Sequence, residues 1–236
     1  MRVNPMTQLA VLTQSLWRRW MKWVPVRILS TKHRPRISEH LKSLGPQDRY
    51  LRFGYTATDE QIENYVNKLN FARDDIYGVF NRRLEIVAMA HLAFSVDPEW
   101  ATCAEFGVSV DLRMRGKGLG ARLFNRATMR ARNEGVGLMF IHALSENTAM
   151  LKIARKSGAR VVRDGSESDA YLSLPAADMD SQVNEFIEES THGYAVDLKM
   201  LMTKRVKNTT WDTEISNKVN VPNSQMKAGF MNKIQT

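Results

Sequence analysis

A single cysteine, Cys103, in 236 residues leaves no partner for an internal disulfide and points to a reducing compartment, the cytoplasm. No apolar run approaches the ~20 residues that a membrane-spanning helix needs. No cysteine and histidine cluster has metal-ligand spacing, so no metal is expected, and no segment repeats. Acids are missing where bases are dense. Residues 1–36 hold eight Lys or Arg and no Asp or Glu, and residues 203–236 hold six against Asp212 and Glu214. The two ends therefore carry +8 and +4 of the net +9, which leaves −3 for the middle of the chain. The basicity belongs to the tails, and specific nucleic-acid binding is not expected of the core.

What the chain does have is one stretch that organises the rest, Ala104 to Gly120. Glu105 to Val110 is short, apolar and bounded by polar residues, the pattern of a buried strand. Gly116, Gly118 and Gly120 then alternate with Lys117 and Leu119, and Arg115 stands just before them. A helical pattern follows at once, with Leu119, Leu123, Ala127 and Ala131 spaced by four. Strand, glycine-rich turn and helix N-terminus make an anion cradle, in which backbone N–H groups face a phosphate. A diphosphate is the expected guest. Gly116-x-Gly118-x-x-Ala121 also satisfies the loose dinucleotide fingerprint, but it lies mid-chain with too little α/β pattern after it. A Walker A loop is excluded, because Gly118 follows Gly116-Lys117 where Ser or Thr is required. The remaining alternative is a glycine turn with no ligand.

Around this centre the periodicity predicts strands at Val24–Ser30, Asp75–Phe80, Leu84–Ser95, Leu138–Ala143, Arg160–Arg163 and Ala170–Leu174. It predicts helices over Pro35–Leu44, from the capping box Thr58-x-x-Gln61 onward, from Gly120 to Gly135, and over Glu146–Ser157. The order β-α-α-β-β-β-α-β-α-β-β implies an α/β fold with a mixed sheet. Residues 25–175 form the expected domain, preceded by a basic amphipathic helix over 1–24 and followed by a helix over 176–206 and a disordered basic tail over 207–236. In the first helix Leu9, Leu12, Leu16, Trp20 and Trp23 share a face opposite Arg18, Arg19 and Lys22. That pattern fits contact of residues 5–23 with an anionic membrane surface, a transit peptide, packing on the domain or on a second subunit of an oligomer, or a disordered extension.

Arg115-x-x-Gly118-x-Gly120 matches the Arg/Gln-x-x-Gly-x-Gly/Ala signature of the GNAT superfamily of N-acetyltransferases, and the chain resembles its bacterial members over roughly residues 25–175. The resemblance implies a GNAT-like, mostly antiparallel sheet flanked by helices, and acetyl-coenzyme A as the acyl donor. It places the diphosphate on Arg115, Gly116, Lys117, Gly118, Leu119 and Gly120, and the pantetheine arm along Val108, Ser109 and Val110. Asn147 and Gly158 resemble the second motif of the family, but Ala154 stands where that motif has tyrosine and Ala159 where it has phenylalanine. The implied function is transfer of an acetyl or related acyl group to a primary amine of an unidentified acceptor. With the tyrosine absent, an acyl-CoA-binding sensor with little turnover is the alternative.

Three residues are candidates for the chemistry. Glu105 opens the central strand where some members of the family carry a general base, and an ion pair with an arginine such as Arg52 is its structural alternative. His91 stands alone in an apolar strand, where a histidine is more often held by a neighbour than catalytic. Ser145 offers a hydroxyl that could replace the missing tyrosine. Arg49 and Arg52 either brace the fold or meet an acidic substrate.

Overall fold

The computed structural model describes residues 25–178 and 182–183. The helix expected over 1–24, the tail expected from 207 and almost all of the helix expected over 176–206 lie outside the described residues. Strand β1 (Val26–Ile28) is followed by helices α1 (Arg34–Lys42), α2 (Pro46–Phe53) and α3 (Asp59–Lys68). Strands β2 (Asp75–Phe80), β3 (Ile86–Phe94) and β4 (Cys103–Val110) come next, then α4 (Leu119–Asn133) and β5 (Leu138–Leu144). Helix α5 (Thr148–Lys156) and the hairpin β6 (Arg160–Asp164) and β7 (Glu167–Ser173) complete the described fold. The mixed α/β architecture is the expected one, with one more helix before β2.

That extra helix comes from Gly45-Pro46, a stop for α1 that is also a start for α2. Gly45 is its extended N-cap, and Pro46 takes the first helical position, where the missing N–H is not needed. Left-handed Gly54, at φ 80°, closes it. Helix α2 is only eight residues long and none of them is fully buried, so it offers too short a run for a helical period to be read. The capping box of α3 forms as its spacing predicts: Gln61 N–H donates to Thr58 Oγ1 at 3.2 Å, and Thr58 N–H to Gln61 Oε1 at 2.9 Å.

The strands form one sheet in the order β1-β2-β3-β4-β5-β7-β6, antiparallel throughout except for β4 beside β5. On one face Phe106 meets Phe124 of α4 edge-on at 5.0 Å, among buried Leu123, Ala127, Leu151 and Ala154. On the other, α1 and α3 cover β1–β3 through Ile37, Leu41, Ile62 and Val66. Simple alternation along β3 groups Ile86 with Ala88, Ala90 and Leu92. Instead Ile86 packs with Met89 under α1, because a bulge between Val79 and Phe80 shifts the pairing and turns the strand end over.

His40 of α1 is buried and pins the helix layer to the sheet. Its Nδ1–H donates to Ile86 O at 3.0 Å and its Nε2 accepts from Ser109 Oγ at 2.9 Å. Burial lowers its pKa from 6.5 to about 4, so the ring is neutral. The unfolded chain takes up the proton first as pH falls. Stability should therefore drop by ~3 kcal/mol as pH goes from 6.5 to about 4, measured by urea denaturation at stepped pH. A flat profile over that window would remove the neutral histidine from this account.

Candidate functional site

The site begins where β4 and β5 part. They pair in parallel only at Cys103↔Leu138, Ala104↔Met139 and Glu105↔Phe140, after which β4 stays on β3 and β5 follows β7. Asp111 N–H donates to Val87 O and Cys103 O accepts from Ser95 N–H, so odd-numbered residues of β4 direct their backbone groups at β3. The sides alternate: Phe106 N–H completes the last pairing with β5, and the C=O of Phe106 and the backbone groups of Val108 and Val110 point into the gap. A strand edge left open inside a sheet is a place for an extended ligand to pair.

At the far end of the gap lies the glycine turn. Gly116 and Gly118 are left-handed, at φ 71° and 81°, a region that side chains disfavour, and Gly118 is the N-cap of α4. Gly120 serves another purpose, since its backbone is ordinary. A Cβ there would stand 3.3 Å from Ile153 Cδ1 and 3.9 Å from Val110 Cγ2, so the absence of a side chain lets α4 come close to α5 and β4. The first N–H groups of α4 have no acceptor within the helix and open on a groove of about 720 Å3. Val108, Ser109, Val110, Arg115, Gly116, Gly118, Leu119, Gly120 and Asn147, all expected at a cofactor site, line this groove, with Lys152 and Lys156 adding positive charge. Lys117 sits in the turn, its Nζ donating to Met114 Sδ at 3.4 Å.

Three of these residues are already engaged. Arg115 forms an ion pair with Asp48 of α2 at 2.5 Å and donates through Nε to Val110 O at 3.3 Å. Asn147 caps α5 by accepting from Met150 N–H at 3.2 Å, which leaves its NH2 group for a ligand. The Ser109 side chain turns to His40 on the opposite face and its backbone groups are directed at β3, so it lines the groove without offering a polar group.

On that opposite face the gap opens on a second, smaller pocket of about 150 Å3, lined by Arg52, Tyr65, Glu105 and His142 among others. The register of β4 is unbroken, and Glu105 lies opposite Phe106 as alternation predicts. Burial raises the Glu105 pKa, with Arg52, His91 and His142 pulling it partly back. His142 is oriented by buried Asp169, Nδ1 to Oδ1 at 2.8 Å. These groups can hold and pass a proton. Among the described residues no group of three or more His, Cys, Asp or Glu could hold a metal ion.

His91 and Ser145 are not brought to the gap. His91 is buried behind Tyr65, with Nδ1 2.9 Å from Tyr65 Oη and Nε2 3.2 Å from Asp74 Oδ2, so both nitrogens hold neighbours in place. Ser145 faces the β6–β7 turn, donating to Glu167 O at 2.9 Å and lying 2.8 Å from Ser168 Oγ. Ala154 is buried in the core and brings no hydroxyl. From the sequence His142 is only a substitute for Glu105 in taking the proton, and neither Asp169 nor Tyr65 is brought to this place. The strand alternation of His142 was visible, but the partners lie 27 and 26 residues away across the sheet and between layers.

Residues 46–159 match the sequence profile of the acetyltransferase (GNAT) family. Among solved structures the chain is similar to the GNAT domain of PAT from S. lividans, at 17% identity over 63% of this chain and 89% of that one, with TM-score 0.54. It is similar to an N-acetyltransferase from Staphylococcus aureus (15% identity, 64% and 98% covered, TM-score 0.54). An acetyltransferase of the GNAT family from Streptococcus pneumoniae is equally alike in fold (13% identity, 64% and 99% covered, TM-score 0.54). At these identities the likeness establishes the fold. No curated protein matches the chain by sequence.

Proposed function

We propose that the chain carries an acetyltransferase domain of the GNAT family, whose profile residues 46–159 match, and that it transfers an acetyl group from acetyl-coenzyme A to a primary amine by direct attack on the thioester. What carries this reading is the parting of β4 from β5, which joins the glycine-turn groove on one face to the Glu105 pocket on the other. The catalytic unit in this reading spans residues 25–175. The basic amphipathic pattern of residues 5–23 fits an anionic membrane surface.

The roles follow from position. Backbone N–H groups of the 116–120 turn, with Arg115 and Lys117, hold the diphosphate. The open backbone edge at Val108, continued by the N–H of Val110, pairs with the pantetheine amides, and Asn147 lies where it can donate to them. The donor supplies an electrophilic thioester carbon. An amine is mostly protonated at neutral pH and must lose a proton before its nitrogen can bond to that carbon. Glu105, directly or through water, accepts it. An N–H group of Val108 or Val110 meets the charge that develops on the carbonyl oxygen. As the C–S bond breaks the thiolate takes a proton from water, since Ala154 has no hydroxyl and Ser145 is turned away.

The test is release of free thiol from acetyl-CoA in the presence of an amine panel. Amine-dependent release supports transfer. The apolar side chain of Ala154 favours one other reading, an acyl-CoA sensor, and tight acetyl-CoA binding with no amine-dependent release would select it.

Asp48 gives a second handle. Its carboxylate neutralises Arg115 at the rim of the groove and adds negative charge there. Asp48→Asn should tighten acetyl-CoA binding about two- to fivefold by calorimetry, more at low salt than at high, as expected of a partly exposed pair. Weaker binding would mean that Asp48 positions Arg115 for the ligand.

A further inference from the structure

Of the two arginines in the α2 segment, the fold consumes one. Arg49 donates to Leu44 O, Ala57 O and Lys42 O and pairs with Asp59 at 2.7 Å. Arg52 is placed differently. It is half-buried, and among the described residues no Asp or Glu forms an ion pair with it. Its guanidinium carbon stands 5.2 Å from the Phe53 ring and 5.5 Å from the Tyr65 ring. It lies against β4 at Gly107, where a Cβ would come within 2.8 Å of Cζ and 2.9 Å of both terminal nitrogens. A glycine in mid-strand thus makes the seat in which this guanidinium rests.

The seat is held from behind. Arg52 donates to Tyr65 Oη at 2.9 Å, Tyr65 Oη–H can then donate to His91 Nδ1, and His91 Nε2–H to Asp74. Burial pushes the Asp74 pKa up, but hydrogen bonds from Arg73 and His91 outweigh it and keep the carboxyl below its ordinary range. The chain of donors ends on that anion, a residue that does not touch Arg52. Desolvating a guanidinium without a carboxylate in contact is unfavourable unless a ligand completes it. Arg52 stands where the large groove meets the pocket of about 150 Å3 and lines both; it shares the second with Glu105, and that pocket is small beside the ~300–1,000 Å3 of drug-sized sites.

We propose that the acceptor is a small amine bearing a carboxylate on the same molecule, an amino acid in chemical class, whose carboxylate binds Arg52 while its amine faces Glu105. The inference rests on the acyl-transfer reading for the amine's place and adds the substrate class. A cation and an anion share one small pocket, and a zwitterion with its charges a few bonds apart is their complement. A lysine side chain of a protein presents its amine with no carboxylate within that reach. Gly107 and Tyr65 are positioning residues for Arg52.

The test is equilibrium binding of the common amino acids, their carboxamides and their decarboxylated amines to the full chain saturated with coenzyme A. The preferred amino acid should bind about 10- to 100-fold more tightly than its carboxamide, as expected for a hydrogen-bonded charge pair. Arg52→Gln should erase that preference, with urea denaturation reporting that the variant is folded and the coenzyme kept at saturation for each variant. Gly107→Ala keeps the guanidinium but displaces it, and should weaken the amino acid in the same direction. In turnover the loss should fall on acceptor KM more than on kcat. Equal binding of acid and carboxamide, a preference that survives Arg52→Gln, or no binding by any amino acid would overturn the proposal. If the binding preference holds but no acetyl group is transferred, the acyl-transfer reading fails and the assignment of Arg52 stands.

Discussion

Glu105→Gln is expected to lower kcat by about 10²–10⁴-fold, with acetyl-CoA affinity little changed. The substitution keeps the shape of the side chain and removes its basicity. Glu105 sits where β4 and β5 separate, half-buried, in a pocket that also receives His142 and Arg52. Because burial raises its pKa, the acidic limb of the wild-type kcat profile should lie above the ordinary glutamate value of 4.5. Below that limb the carboxyl is protonated and accepts nothing. In the variant this limb should vanish, and the residual rate should climb with pH as the free-amine fraction grows.

Stability separates a catalytic role from a structural one. A carboxyl whose folded-state pKa is raised binds more protons in the folded chain than in the unfolded one. Its contribution is therefore lost as pH rises through the window between 4.5 and the raised value. At neutral pH the ionised Glu105 is a burden on the fold, so glutamine should leave stability unchanged or improve it. A large fall in kcat without loss of stability marks the base. Near-normal turnover would pass that role to His142, which Asp169 already orients at 2.8 Å.

Gly120→Asp is expected to abolish detectable acetyl-CoA binding in a protein that still folds. Its Cβ would meet Ile153 Cδ1 at 3.3 Å, a contact the flexible end of the isoleucine can relieve. The carboxylate would then stand in the groove beside the first N–H groups of α4, opposing the diphosphate they would hold. Gly120→Ala separates the two effects: it adds the methyl group alone and should weaken binding far less. Calorimetry on both variants gives the comparison. Undiminished affinity in Gly120→Asp would place the ligand elsewhere and leave the turn as a turn.

The glycine turn, the central strand and the helix after it were legible because each rests on local chemistry. Left-handed glycines at 116 and 118 and the apolar spacing of 119, 123, 127 and 131 need no partner to be recognised. Helix α2 was not legible, since it buries no residue fully and begins on a proline that also ends its predecessor. Simple alternation sets Ile86 on the wrong face, because it cannot foresee a bulge in the pairing with the neighbouring strand. The proton-handling side of the site was only half visible. Glu105 and His142 stand on strands whose alternation can be read, but what surrounds them depends on long-range register. Asp169 meets His142 through the β5–β7 ladder, and Tyr65 reaches His91 from another layer. The seat of Arg52 likewise depends on Gly107, 55 positions away in a strand that reads as merely buried.

A crystal structure of the full chain with coenzyme A is the most direct test of the site as a whole. The account predicts the diphosphate against the backbone N–H groups of residues 116–120, the pantetheine arm along Val108 and Val110 in the gap between β4 and β5, and the thiol emerging toward the pocket of Glu105. Coenzyme A bound outside that gap, or with its thiol directed away from Glu105, would contradict it.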